Sequence, residues 1–481
     1  MRRDDLAWLS GHAALAAFRS RALSPVELME AVLEAARAAE PRVNAVTEWL
    51  EERAMEGARA AEARWREGTA RPLEGLPLAV KEEMRLAGTR RTSASLVYRD
   101  QVDEETDVYV QRLIDAGAIP HLKTTTPEFC LLGATHSRLH GVTRNPWNRE
   151  FSPGGSSGGS GAVLATGGAP LATGTDIGGS IRIPASACGV VGYKPPYGRN
   201  PEIPVFNLDY YSHSGPMARS VADCALMQNA TSGQDPSDIA SLRERVVLGT
   251  VPPPDLRGWR IAYSYDLGIY DVESAMREGL DRALEVFRDL GAETREVSLG
   301  WPREAPRAAQ AHLAHLWGAG IARLVPEHRE ALCDYTLAFI EESLATTAQD
   351  YLRADEIAVE MFRELSGVFE TADILLCPTL AIAAPPAEFG PPNDWVIFDG
   401  ERRRMGEWGW EMTLMFNMLS RCPVLSVPSG FTPWGVPTGV QIVGRPYDDE
   451  TVFAAGLAYE AAAGPWFADA ESRPPALAGG A

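Results

Sequence analysis

An α/β fold, with a largely covered sheet of short strands set between helices, is the class this sequence predicts. Three observations carry the prediction. Helical and extended patterns alternate over the first 130 residues, a strand–helix–strand pattern recurs between Arg260 and Leu299, and no Pro/Gly-rich linker or internal repeat divides the chain. With 481 residues, 45% of them hydrophobic, there is material for a large core.

The first strong element opens at Ser24-Pro25-Val26-Glu27. Ser is placed to cap, Pro takes the first helical position, and Glu stands at the third, ahead of a continuous helical pattern. A polar, Ala-rich helix is predicted to follow to about Arg66. The run Leu76-Pro77-Leu78-Ala79-Val80 reads as the end of a strand, with Lys81 directly behind it. A helix near Asp107 to Ala116 stops at Gly117 and yields to a strand near Ala118 to Lys123. Ala162 to Thr166 suits a short helix closed by Gly167-Gly168, and Ala169 to Gly174 an extended return. Arg260 to Ser264 and Glu293 to Leu299 read as strands flanking an amphipathic helix, Val272 to Leu290. Residues 304–368 read as mainly helical. Ile374 to Pro378, Val424 to Val427 and Thr438 to Val443 read as strands, and Asp449 to Ala462 as a last helix before a tail expected to be loose.

A formal charge of −20 and a pI near 4.9, without any cluster of Lys and Arg, exclude a nucleic-acid partner. No run of 18 apolar residues occurs, and the opening MRRDDLAWLSGHAALAAF carries acidic residues and no clean apolar stretch with a cleavage site. A cytoplasmic protein with no membrane partner is the expectation. Cys130, Cys188, Cys224, Cys333, Cys377 and Cys422 are dispersed without CxxC spacing, so reduced, buried thiols are expected and neither a disulfide framework nor a metal site. Of 45 basic residues only Lys81, Lys123 and Lys194 are lysines. Arginine stays protonated, whereas a buried lysine can become neutral and act as a base, so each of the three merits inspection.

Two glycine-serine elements stand out. The first, Gly154 to Gly161 (GGSSGGSG), meets Ala162-Val163-Leu164 at once, unlike a flexible linker. It fits neither phosphate-loop pattern, and its GxSxG around Ser156 lacks the preceding buried strand of a nucleophile elbow. No histidine has the setting of a base. His136 with His140, and His312 with His315, are spaced as helix-face pairs of structural or surface kind. The second element is Gly174-Thr175-Asp176-Ile177-Gly178-Gly179-Ser180-Ile181-Arg182. Its glycines permit several consecutive N–H groups to point one way, as an oxyanion requires, and equally permit a tight turn in which Ser180 only caps the next element.

Taken with Lys81, these elements resemble the amidase signature family. The segment GGSSGGSGAVLATGGAPLATGTDIGGSIRIPASACGVVGYKP, Gly154 to Pro195, matches that family's defining stretch nearly throughout. Further matches are PLAVK at Pro77 to Lys81, Lys123-Thr124 with Pro127-Glu128-Phe129, Arg144-Asn145-Pro146-Trp147, Gly215 to Arg219, Pro378-Thr379 and Gly439 to Pro446. The resemblance implies one domain over residues 1–481, a central mixed twisted sheet covered by helices on both faces. Its parts are N-terminal helices (1–66), a core bearing the key residues (67–235), a variable, largely helical region with the βαβ unit (236–370), a C-terminal return to the sheet (371–465) and a loose tail (466–481).

The resemblance also implies a Ser-Ser-Lys triad. Ser180 falls at the nucleophile, Ser156 at a serine held by a cis Gly155–Ser156 bond, and Lys81 at the base, which must be neutral to act. Backbone N–H groups of Ile177, Gly178, Gly179 and Ser180 would form the oxyanion hole. Ser157, Asp176 and Arg182 are read as holding the two turns in register, and Ser160 as the cap of the following helix. The reaction implied is hydrolysis of a C–N acyl bond in a small linear amide, with anilide, carbamate or ester variants, and no cofactor or metal. A homodimer is compatible with that reading. The alternatives are the ammonia-releasing glutaminase component of glutamyl-tRNA amidotransferase and a catalytically silent scaffold of the same fold. Against the first, Pro196 to Ser214 departs from the Thr-Tyr-Gly-Leu-Val-Ser type of segment. Other departures are Glu82, where Asp is common, and Thr125, where Asn is common. Lys123 and Lys194 are read as structural. The pocket is expected from Cys130 to Gly133, the Pro201 to Tyr211 loop and the region from His312 to Glu342, with Phe206, Tyr210, Tyr211, Trp317 and Tyr335 leaning toward a bulky or aryl group.

Overall fold

A computed structural model describes residues 3–202, 204 and 206–475. Eleven strands form one mixed sheet: β1 (Val46–Trp49), β2 (Pro77–Lys81), β3 (Ile119–Thr124), β4 (Leu171–Thr175), β5 (Val191–Lys194), β6 (Ser214–Ala218), β7 (Arg260–Tyr263), β8 (Glu293–Glu296), β9 (Ile374–Pro378), β10 (Val424–Phe431) and β11 (Pro437–Val443). Their order is β1-β3-β2-β4-β6-β5-β10-β11-β9-β7-β8. Parallel pairing at β3-β2-β4 and at β9-β7-β8 flanks an antiparallel middle.

Alternation of side chains along each strand explains why both faces are covered. Leu78 and Val80 of β2 enter one core with the helices Pro25–Val43, Glu51–Glu67 and Val108–Asp115, while Ala79 between them enters another with the helix Gly158–Ala165. At the other end of the sheet, Ile374 and Leu376 of β9 join the first core, and Leu375 and Cys377 pack with the helices Ala305–Leu313, Asp334–Ala345 and Ala348–Phe369. The expected βαβ unit is present, with the helix Ser274–Asp289 between parallel neighbours β7 and β8. Among the described residues no helix is long and apolar enough to cross a membrane.

Some expectations change. The N-terminal region is not helical throughout, because β1 lies within it and pairs antiparallel with β3. The helix predicted from Ala162 begins at Gly158, since its glycines let backbone approach closely: a side chain at Gly159 would strike Thr125. Ser160 therefore lies inside the helix instead of capping it, its hydroxyl donating to the Thr173 carbonyl at 2.9 Å and meeting Thr124 Oγ1 at 2.8 Å. His136 is in a two-residue strand, not on a helix, and contacts the Phe389 carbonyl at 2.8 Å. In the tail expected to be loose, Phe467 is buried and its ring meets Trp8 and Trp147. Residues 476–481 of that tail lie outside the described residues.

Candidate active site

Lys81 is the last residue of β2 and shares the side of Ala79, so alternation directs it to the face that carries the helix Gly158–Ala165. It is fully buried. Its Nζ donates to Ser156 Oγ at 2.7 Å and to Thr175 Oγ1 at 2.6 Å, and Glu83 Oε1 lies 3.0 Å away. The Gly155–Ser156 peptide bond is cis. Gly155 is required on steric grounds, because a Cβ there would run into the carbonyl oxygens of Leu132 and Ala134.

The second turn is tied to the first through the Ser157 N–H, which donates to the Ser180 carbonyl at 3.1 Å. Asp176 and Arg182 clamp it. The Arg182 guanidinium places Nε 2.9 Å and Nη2 2.8 Å from the two Asp176 oxygens, and further donates to Asn417 Oδ1, the Thr413 carbonyl and Gln441 Oε1 at 2.7, 2.9 and 2.8 Å. All five of its N–H groups are thereby used. Burial alone would raise the Asp176 carboxyl, but Arg182 and the Asn417 amide outweigh it and hold the group well below the usual carboxylate range. Gly179 has φ +133°, and a Cβ there would collide with the Thr413 hydroxyl that donates to the Gly178 carbonyl. Among the described residues none accepts a hydrogen bond from the backbone N–H of Ile177, Gly178, Gly179 or Ser180.

Ser180, with Ile177 and Gly178, lines a small cavity of about 30 Å³ whose walls include Leu132, Trp317 and Phe339. Cys130 to Gly133 and the region beyond His312 thus contribute as expected, and Phe206 lines an adjoining chamber. Tyr210, Tyr211 and Tyr335 are elsewhere. Tyr211 is buried and stacked on His312, whose Nε2 meets Asp209 at 2.8 Å. Tyr210 donates to Asp355, and the Tyr335 hydroxyl joins the Glu128 N–H to the His136 carbonyl. Lys123 and Lys194 are buried and donate to main-chain carbonyls of Arg90 and Pro195 at 2.7 and 3.0 Å.

Sequence reasoning passed over Glu83, Thr175 and Cys130 at this centre. Thr175 and Cys130 both donate to the Glu83 carboxylate. Burial pulls the Glu83 carboxyl up, yet the Lys81 ammonium and these hydrogen bonds outweigh it and leave the group below the ordinary range. Burial pushes the Cys130 thiol far up, so it stays a donor. The available signal was proximity: Glu83 stands in the turn that directly follows Lys81 at the end of β2, closed by the Met84 N–H donating to the Lys81 carbonyl at 3.0 Å. Glu82, the departure noted in the sequence, faces away and bonds Thr92 Oγ1 at 2.7 Å.

Known proteins match this chain over nearly its whole length. The family model described as Amidase matches residues 27–453. An acylamidase from Rhodococcus erythropolis is 34% identical over 479 residues, covering 97% of this chain and 98% of that protein. The A component of glutamyl-tRNA(Gln) amidotransferase from Roseiflexus sp. (strain RS-1) is 34% identical over 471 residues, covering 91% and 93%. The crystal structure of a bacterial aryl acylamidase of the amidase signature enzymes superposes with a TM-score of 0.89 at 29% identity, covering 98% and 99% of the two chains. Fold and relatives together define an amidohydrolase. The chain belongs to the amidase signature family.

Proposed function

We propose that this protein hydrolyses the C–N acyl bond of a small linear amide, an acylamide with an aryl or similarly bulky half, through an acyl-enzyme on Ser180. The observation that carries the reading is the buried Lys81 amine 2.7 Å from Ser156 Oγ, beside a turn in which Ser180 faces a cavity and four N–H groups have no protein acceptor among the described residues. After the resting Lys81 ammonium has released its proton, the free amine takes a proton from Ser156 as Ser156 takes one from Ser180, and Ser180 Oγ attacks the carbonyl carbon. The N–H groups of Ile177 to Ser180 receive the oxyanion, each such donor contributing roughly 3 kcal/mol. Lys81 and Ser156 return the proton to the departing amine nitrogen, and water repeats the relay in reverse to free the carboxylic acid. Glu83 and Thr175 hold the Lys81 ammonium formed on attack.

The second reading, the glutaminase component of a tRNA-dependent amidotransferase, is favoured by the equal identity to that relative. Pro196 to Ser214 weighs against it, since this segment differs from the type associated with that component. The purified chain, given acyl anilides and, separately, glutamine, decides between them. Anilide turnover without any partner is expected, and glutamine hydrolysis with no anilide turnover would overturn the acylamide reading.

A further inference from the structure

Beside the Ser180 cavity lies a second chamber of about 360 Å³, and Ile177 and Trp317 line both. A substrate whose carbonyl sits at the Ile177–Ser180 turn has this chamber within reach of one of its halves. Tyr98, Phe129, Phe206 and Trp317 give the chamber aromatic walls. Four charged side chains also reach it: Glu83, Arg91, Asp107 and Glu202.

Three of these are already paired. Glu83 is 3.0 Å from Lys81, Arg91 2.9 Å from Asp103, and Asp107 2.6 Å from Arg85. Glu202 differs. Its Oε2 accepts from Ser212 Oγ at 2.7 Å, while its buried Oε1 has no hydrogen-bond partner, and among the described residues no cation pairs with it. Burial pushes this carboxyl up to about 7, the Ser212 and Ser214 hydroxyls pull it back, and the negative charges of Glu83 and Asp238 push it further. Oε1 is already desolvated and unpaired, and an apolar occupant would leave it so. An organic ammonium supplies what is missing, a charged donor to Oε1 and a cation for the aromatic faces.

We propose that this chamber receives an ammonium group carried by the amide substrate, and that Glu202 is the residue that recognises it. The inference rests on the amidohydrolase reading and narrows its substrate to amine-bearing amides.

The test uses the full chain and two series of anilides, one varied on the acyl half and one on the amine half. Each series carries a terminal ammonium, hydroxyl or methyl group on the same alkyl spacer. In the series whose variable half enters the chamber, the ammonium compound is expected to exceed the methyl compound by about tenfold or more in kcat/KM, mostly through KM, with hydroxyl well below ammonium. Glu202→Gln should bring the ammonium-to-methyl ratio to about one, and Glu202→Asp should keep part of it, which guards against a variant that merely folds poorly. A wild-type ratio near one in both series, hydroxyl equal to ammonium, or a ratio unchanged in Glu202→Gln would overturn the inference while leaving the amidohydrolase reading in place. Absence of any amide turnover together with absence of a fluorophosphonate adduct on Ser180 would bring down both.

Discussion

Asp176→Asn tests whether the buried clamp positions the oxyanion turn. Arg182 and Asp176 are both fully buried, and two of the five guanidinium hydrogen bonds, at 2.8 and 2.9 Å, end on the carboxylate. Asparagine removes the charge and turns an NH2 toward a donor, leaving a buried guanidinium without its counter-ion, a change that costs about 3–5 kcal/mol. At about 2.1 cal/mol/K of unfolding entropy per residue, 481 residues give about 1 kcal/mol/K, so Tm should fall by about 3–5 °C. The sign with pH follows from the depressed carboxyl of Asp176. Its stabilisation is complete above the unfolded-state value near 3.9 and is lost as pH falls through the lower folded value, so the gap should be constant from about pH 5 to 8 and close only in acid. Calorimetry at pH 5 and pH 7.5, with Arg182→Met and the double variant, measures it. The double variant should lose clearly less than the sum of the singles. A Tm change under about 1 °C, or strict additivity, would refute the reasoning.

Three further outcomes are expected. Lys81→Met should lower kcat/KM by about 10²–10⁴-fold, and adding Glu83→Gln should recover thermal stability but not activity, because the Glu83 carboxylate loses the ammonium 3.0 Å away; recovered turnover in the double variant would contradict the base role. Gly179→Ala, at φ +133° and against the Thr413 hydroxyl, should cost about 1–3 kcal/mol and reduce kcat, read by calorimetry and anilide kinetics. Glu460 is an acid whose burial raises it to about 7, so its stabilising effect is full below the unfolded value near 4.5 and is lost as pH rises toward 7. Glu460→Gln, which keeps an oxygen for the Val221 N–H, should therefore raise Tm relative to wild type at pH 8 and not at pH 4.5; equal differences at both pH values would count against it.

Legibility in the sequence followed the range of the interaction. Lys81, Ser156 and the Ile177–Ser180 turn were reached through the family resemblance, which rests on glycine-rich segments whose close backbone approach demands Gly, and Lys81 is one of only three lysines in an Arg-rich chain. The helix Pro25–Val43 was visible for a local reason, its capping box of Ser24 and Glu27 being intact in the structure. The strands β1, β5 and β6 were not, since four or five residues containing Gly or Pro, or lying between helices, carry little periodicity of their own and are fixed by neighbours far along the chain. Sheet order escaped for that reason too. Glu83 and Glu202 escaped because a carboxylate in a turn or loop reads as solvated until the fold shows what it faces.

The central claim is that Ser180, and none of the serines in the first glycine-rich turn, forms the acyl-enzyme. A fluorophosphonate probe followed by peptide mapping of the adduct tests it most directly. The account predicts the adduct on Ser180 in the wild type and its loss in Lys81→Met at neutral pH. An adduct on Ser156, Ser157 or Ser160 would contradict it.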